Sequence, residues 1–146
     1  MKVEKMIIGR LETISLPDLA IDSLNVRVDT GAQTSSLHVD NIKQITLDGK
    51  PAVAFDIHPD SHDVNSVKQC KALIADIRKI KSSNGTSEQR FIIKTIAHLG
   101  ELSWPIQISL TDRSDMTYMM LLGREALADK FYIDPSAVFL GSAKKR

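Results

Sequence analysis

The sequence predicts a mostly-β fold: a small closed barrel carrying one short C-terminal helix. Three observations predict it. Apolar residues recur mainly with period two, the pattern of strands with one buried face. Turn signals fall between the short apolar runs at close intervals, as in small barrels. The best helix is one short stretch near the end, Arg124 to Lys130. The length of 146 residues suits one domain with one core, and residues 1–146 are read as a single domain.

Leu24, Val26 and Val28 alternate with Asn25 and Arg27, so this strand has one buried face, and Asp29 stands at its end. Ile45 and Leu47 precede Asp48-Gly49, and Val53, Phe55 and Ile57 follow. Asp-Gly between alternating runs marks a hairpin, because a type I′ turn needs positive φ. Pro51 is expected to limit how early the second strand pairs. His58 to Gln69 is polar and reads as a loop or insertion. Val67 to Ile80 is open between two states. Val67, Cys70, Ile74, Ile77 and Ile80 have near-helical spacing, yet Ile74 to Ile80 suits a twisted strand equally well.

Asn84-Gly85, in a Ser/Thr-rich stretch, marks a second hairpin. Phe91 to Ile96 and Trp104 to Leu110 read as strands, with Leu99-Gly100-Glu101 as the turn between them. Met119 to Gly123 is a buried apolar strand ending in glycine. Arg124 to Lys130 is the best helix, about two turns long, with acid early and base late as the helix dipole favours. Phe131 to Ile133, Asp134-Pro135 and Val138 to Leu140 read as strand, turn and strand.

Composition narrows the function. Charged residues make up 25% of the chain, and 19 basic against 18 acidic residues leave a net charge of +1. That gives no bulk electrostatic case for nucleic acid or an anionic membrane. The single cysteine, Cys70, forbids an intramolecular disulfide and fits a reducing compartment. The apolar part of Met1 to Gly9 is too short for a signal core, and no window approaches a membrane span. A cytoplasmic location is expected.

The chemistry centres on Val28-Asp29-Thr30-Gly31-Ala32. A carboxylate becomes a useful base when a second carboxylate shares its proton, because like charges about 3 Å apart do not both ionise readily. Gly31 permits a tight turn and brings its backbone N–H toward the carboxylate. The Thr30 hydroxyl can brace the turn or a symmetry partner, and Ala32 is small enough for a peptide to pass. Alone, Asp-Thr-Gly is an ordinary turn string. Leu121-Leu122-Gly123, followed by Arg124 and a helix, changes its meaning.

With those parts in that order the chain resembles the retropepsin-like aspartic peptidases. In that fold an apolar-apolar-Gly strand packs beside the catalytic loop and a helix follows. The closer resemblance is to a bacterial subfamily labelled ATP-dependent zinc proteases. It rests on Ile8-Gly9-Arg10, Val28 to Ala32, Thr111-Asp112-Arg113 and Leu121 to Arg124, and covers nearly the whole chain. The resemblance implies Asp29, Thr30 and Gly31 as the catalytic loop, and Leu122, Gly123 and Arg124 as its support. Some members are associated with ATP-grasp ligases that add glutamates to a ribosomal protein, and are held to trim those glutamates. It implies the same activity here, on a peptide or acidic polypeptide, with such a ligase as a partner. Departures exist. Gln33 and Thr34 stand where retroviral relatives carry an acid, and Met119 stands where many subfamily members have proline.

Only one Asp-Thr-Gly is present, so a homodimer is expected to bring two Asp29 carboxylates together across a two-fold axis. The in-chain alternative is Asp112 or Asp115, near Arg113. Ala32, Arg113 and the Ser83-Asn84-Gly85 hairpin tip are the candidate substrate contacts, with Arg90 at the hairpin's base. Arg10 and Arg113 also suit an acidic substrate, because guanidinium pairs well with carboxylate.

No metal is predicted, despite the subfamily's label. No His-Glu-x-x-His occurs, Pro59 discourages the helix that would align His58 and His62, His38 falls near the catalytic loop and His98 near a turn, and Cys70 has no partner at zinc-finger spacing. No phosphate-cradling loop occurs either, so no cofactor is expected. The competing reading is a non-enzymatic binding or partner module of an ATP-grasp ligase.

Overall fold

The computed structural model describes residues 5–58, 67–81, 85–112 and 118–142. Among these residues twelve strands and one α-helix, besides a 3-10 turn at Pro17–Leu19, run in the order β1 (Met6–Ile8), β2 (Leu11–Leu16), β3 (Ile21–Val28), β4 (Ser35–His38), β5 (Asp40–Leu47), β6 (Lys50–Ile57), β7 (Lys68–Leu73), β8 (Asp76–Lys81), β9 (Ser87–Leu99), β10 (Leu102–Thr111), β11 (Met120–Leu122), α1 (Arg124–Leu127) and β12 (Phe131–Ile133). Six of them close a ring, β10-β4-β11-β3-β2-β9, because β9 pairs back onto β10. Closure removes the free edges that a small open sheet would expose. The fold is the closed barrel that the period-two pattern predicts.

Outside the ring, β8 extends from β9, β5-β6-β7 form a three-stranded sheet, and β1 pairs in parallel with β12. The core cluster joins the ring strands to Val53, Phe55 and Ile57 of β6 and Cys70 of β7. Ile14, Leu24, Val26, Leu37, Ile93, Ile108 and Leu122 are all essentially inaccessible to solvent. Truncating one of them to Ala costs about 2–5 kcal/mol. Trp104 caps the barrel's end, donating its indole N–H to the Ala126 carbonyl at 3.0 Å and meeting Phe131 edge-on at 5.2 Å.

The hairpin at Asp48-Gly49 forms as expected, with φ of 50° and 77° at the two turn residues. Pro51 does not delay pairing, since β6 starts at Lys50. Leu47 and Lys50 flank the two-residue turn, so the next pair, Thr46 and Pro51, is not mutually hydrogen-bonded. The missing N–H of Pro51 therefore costs no bond to β5. Its carbonyl accepts from the Ile74 N–H at 3.1 Å.

The open stretch Val67 to Ile80 resolves into strands. β7 pairs with β6 and β8 pairs with β9. Helical spacing is not used for burial: Cys70 is buried, while Val67 and Ile77 are about half exposed, at 46% and 48%. Of the polar stretch His58 to Gln69, residues 59–66 lie outside the described residues, and Lys68 and Gln69 already belong to β7.

Two expectations near the C-terminus are corrected. The helix is one turn, not two, because Ala128 leaves helical geometry and Asp129 takes φ of 66°. Val138 to Leu140 is not a strand. Its backbone turns to satisfy a buried acid instead. Glu12 points inward from β2 and is fully buried. Its carboxylate accepts from the N–H groups of Gly9 (2.7 Å), Leu140 (2.9 Å) and Gly141 (3.1 Å), and from the Ser142 hydroxyl (2.6 Å). A buried carboxylate needs such donors, since desolvation without them is prohibitive. Gly9 is required by the same crossing, because a Cβ there would sit 2.4 Å from the Ala137 carbonyl oxygen. This accounts for Ile8-Gly9 in structural terms. Among the described residues no helix is long and apolar enough to cross a membrane.

Candidate active site

β3 and β11 run in parallel, with Val26, Arg27 and Val28 in register with Met120, Leu121 and Leu122. Both strands therefore end side by side, and Asp29 and Gly123 leave the ring together. The loop from Asp29 to Ser35 then wraps over the end of β11. The Asp29 N–H donates to the Leu122 carbonyl at 2.9 Å, and the Gly123 N–H donates to the Ser35 hydroxyl at 3.0 Å. The N–H groups of Arg124 and Glu125, left without partners at a helix start, donate to the Ala32 and Gln33 carbonyls at 2.8 and 3.1 Å. Nothing larger than glycine fits at position 123: a Cβ would lie 2.7 Å from the Thr34 carbonyl carbon and 2.9 Å from the Ala32 oxygen.

Within this frame Asp29 is half-buried. Its Oδ1 accepts from the Gly31 N–H at 3.0 Å, and its own carbonyl accepts from the Ala32 N–H at 3.2 Å. The Gly31 N–H thus fixes the carboxylate's orientation. Arg124 is exposed and its Nη1 donates to the Gly31 carbonyl at 3.3 Å, so it supports the loop from outside. Leu122 is buried beneath the loop.

Asp29 opens into a cleft of about 870 Å³. Gly31, Ala32, Gln33, Thr34, Ser36, Leu121 and Glu125 form one wall with it. Arg78, Lys79, Ile80 and Lys81 of β8, with Arg90 of β9, form the other. Four cations therefore share the cleft with two carboxylates, Asp29 and Glu125. β8 and β9 pair antiparallel on either side of the Asn84-Gly85 turn signal, and both strands contribute to the cleft lining.

Of the predicted contacts, Asp29, Gly31 and Ala32 line the cleft. Thr30 is exposed beside it and Gly85 is exposed on the hairpin, outside the lining. Ser83, Asn84, Arg113 and Asp115 lie outside the described residues. Asp112 is exposed and does not line the cleft. Arg10 is exposed, and its backbone bonds Ala137 and Val28. Arg78, Lys79, Lys81 and Glu125 escaped the sequence reading. For the three cations the signal was the charged run Asp76, Arg78, Lys79 and Lys81 interleaved with two isoleucines, but it needed that stretch to be read as a strand.

Among the described residues no three His, Cys, Asp or Glu side chains converge as a metal site. Asp40 receives two imidazoles, His58 at 2.8 Å and His38 at 3.7 Å. Cys70 is buried against the Leu19 carbonyl, and burial pushes its thiol pKa up.

Comparison with known proteins agrees with this architecture. Residues 7–144 match the model of the RimB-like family, described as the retropepsin-like aspartic endopeptidase RimB. A crystal structure of Lpg0085 from Legionella pneumophila, a protein of unknown function, superposes with a TM-score of 0.79 at 28% identity, covering 94% of this chain and 99% of that one. A relative from Shewanella pealeana named "Probable alpha-L-glutamate ligase" is 42% identical over 139 residues, 95% of this chain and 30% of its own. One of the same name from Desulfotalea psychrophila is 43% identical over 134 residues, 92% of this chain and 29% of its own. The chain thus spans under a third of the length of these relatives.

Proposed function

The chain belongs to the RimB-like family of retropepsin-like aspartic endopeptidases, and on that premise we propose that it is an aspartic-type peptidase or isopeptidase working as a homodimer. Asp29 and the partner's Asp29 share one proton and hold one water. The ionised carboxylate takes a proton from that water, whose oxygen adds to the scissile carbonyl carbon. The protonated carboxylate donates to the carbonyl oxygen. The C–N bond then breaks and the leaving amine takes up a proton. Residues 1–146 act as one retropepsin-like domain, in the cytoplasm.

The observation that carries this reading is the placement of Asp29: half-buried at a strand end, oriented by one backbone N–H, and open to a cleft. The cations of β8 and β9 support an acidic polypeptide as substrate. The glutamate-ligase name of the longer relatives supports glutamyl chains, such as those on a modified ribosomal protein, as the material removed. Asp29→Asn tests the mechanism. Hydrolysis of a fluorogenic acidic peptide should fall about a thousandfold or more, with an unchanged melting curve. Undiminished turnover by the folded variant would overturn it.

A second reading, a partner module of an ATP-grasp ligase, is favoured by one observation. The matched region forms about 30% of relatives named as ligases. It predicts co-purification with such a ligase that survives Asp29→Ala and no hydrolysis by the wild type.

A further inference from the structure

In the β8–β9 hairpin Arg78 and Arg90 are direct cross-strand partners. Residues directly opposite in an antiparallel pair project to the same face, and two like charges there repel. Both arginines line the Asp29 cleft. Arg90 is 6% exposed and Arg78 is half-buried. Each is held by an acid two residues before it. Arg78 Nε donates to Asp76 Oδ2 at 2.8 Å, and Arg90 Nε donates to Glu88 Oε1 at 2.5 Å. Arg78 Nη2 also donates to Gln107 Oε1 at 2.7 Å, and Arg90 Nη1 to Ser36 Oγ at 3.4 Å. A guanidinium has five N–H donors, and these contacts use two on each side.

The arrangement is asymmetric in exposure. Arg90 lies inward, 6% exposed against 47% for Glu88, and Arg78 is 32% exposed against 49% for Asp76. Releasing an exposed acid to water costs little, whereas leaving Arg90 bare in a buried position costs much. An incoming carboxylate that replaces the resident one keeps the arginine paired throughout. We infer that Arg78 and Arg90 form a clamp for a side-chain carboxylate of the bound chain, and that Asp76 and Glu88 occupy it until that carboxylate displaces them. The inference rests on the acidic-substrate reading above and assigns the residues that enforce it. Arg90 also reaches Ser36 of β4, one residue beyond Ser35, whose hydroxyl fastens Gly123 beneath the Asp29 loop. A side chain seated in the clamp is thus tied to the reacting end of the cleft.

The test measures binding in an Asp29→Asn background, so that it does not depend on hydrolysis. Fluorescence anisotropy compares labelled hexaglutamate with hexaglutamine. The background protein should prefer hexaglutamate. Arg78→Gln and Arg90→Lys should each weaken hexaglutamate by about tenfold, the loss of a charge-assisted bond, without changing hexaglutamine binding. Glu88→Gln removes the competitor and should tighten hexaglutamate. Arg78→Gln, at the less buried position, keeps the test valid should Arg90→Lys not fold. Equal weakening of both peptides, no binding of either, or weaker hexaglutamate binding by Glu88→Gln would each overturn the clamp. Selective hexaglutamate binding by the background protein, with no hydrolysis by the wild type, would leave the clamp standing and remove the peptidase reading.

Discussion

Glu12 sits on β2 and Asp29 just beyond the end of its neighbour β3, yet their surroundings differ in kind. Glu12 is fully buried and accepts from three backbone N–H groups and one hydroxyl. Its bonding capacity is filled, and what it fills with is the C-terminal segment, about 130 residues away in sequence. Asp29 is half-buried, accepts from the Gly31 N–H, and faces a cleft. One carboxylate is consumed by structure; the other is held at one oxygen and left available to solvent or substrate. The comparison teaches that burial alone does not mark a reactive acid. Incomplete satisfaction beside an accessible space does.

The sharpest way to break this contrast is to exchange the two demands. Glu12→Gln puts an amide N–H₂ among donors, so at least one buried polar group loses its partner. Stability should fall by about 3 kcal/mol, read as a urea-unfolding shift, while folded protein keeps its activity. A stable variant would show that the C-terminal segment does not depend on this acid.

A smaller effect is expected at the support beneath Asp29. Gly123→Ala forces a Cβ against the Thr34 backbone. The Asp29 loop must shift, with about 2 kcal/mol lost to overpacking and kcat reduced by about tenfold or more from misplacement. An unchanged kcat in folded Gly123→Ala would argue against a positioning role.

The smallest effect lies at the hairpin. Asp76 has its pKa lowered, chiefly by the Arg78 hydrogen bond and then by the Ile77 N–H. A lowered folded-state pKa contributes stability above the ordinary carboxylate value of 3.8, and that contribution is lost as pH falls through the folded-state value. Asp76→Asn should therefore lower neutral stability only slightly, because the group is exposed, and the difference from the wild type should vanish as pH falls through the folded-state value.

The parts of this molecule that were legible in the sequence are the locally determined ones. Alternation over Leu24 to Val28 delivers Asp29, Leu121-Leu122-Gly123 ends a buried strand, and Asp48-Gly49 supplies two positive φ angles. The barrel follows from many such local signals. Features that depend on distant partners were not legible. Glu12 falls on the inward face of β2, where an acid looks misplaced until Leu140, Gly141 and Ser142 are seen to meet it. Arg78 and Arg90 face each other only through the hairpin's register. The helix stops early because Asp129 adopts a left-handed conformation, which neither composition nor spacing announces. Val138 to Leu140 has strand-like residues, but its N–H groups go to the Leu11 carbonyl and the Glu12 carboxylate of β2 without forming a ladder.

The central claim is that two copies of Asp29 make one active site. It is tested most directly by mixing wild-type and Asp29→Asn chains at constant total concentration, unfolding and refolding them together, and measuring peptide hydrolysis. If each site needs both carboxylates, activity follows the square of the wild-type fraction, so an equal mixture gives about a quarter of full activity. A linear dependence, with half the activity retained in the equal mixture, would mean that each chain acts with its own acid alone.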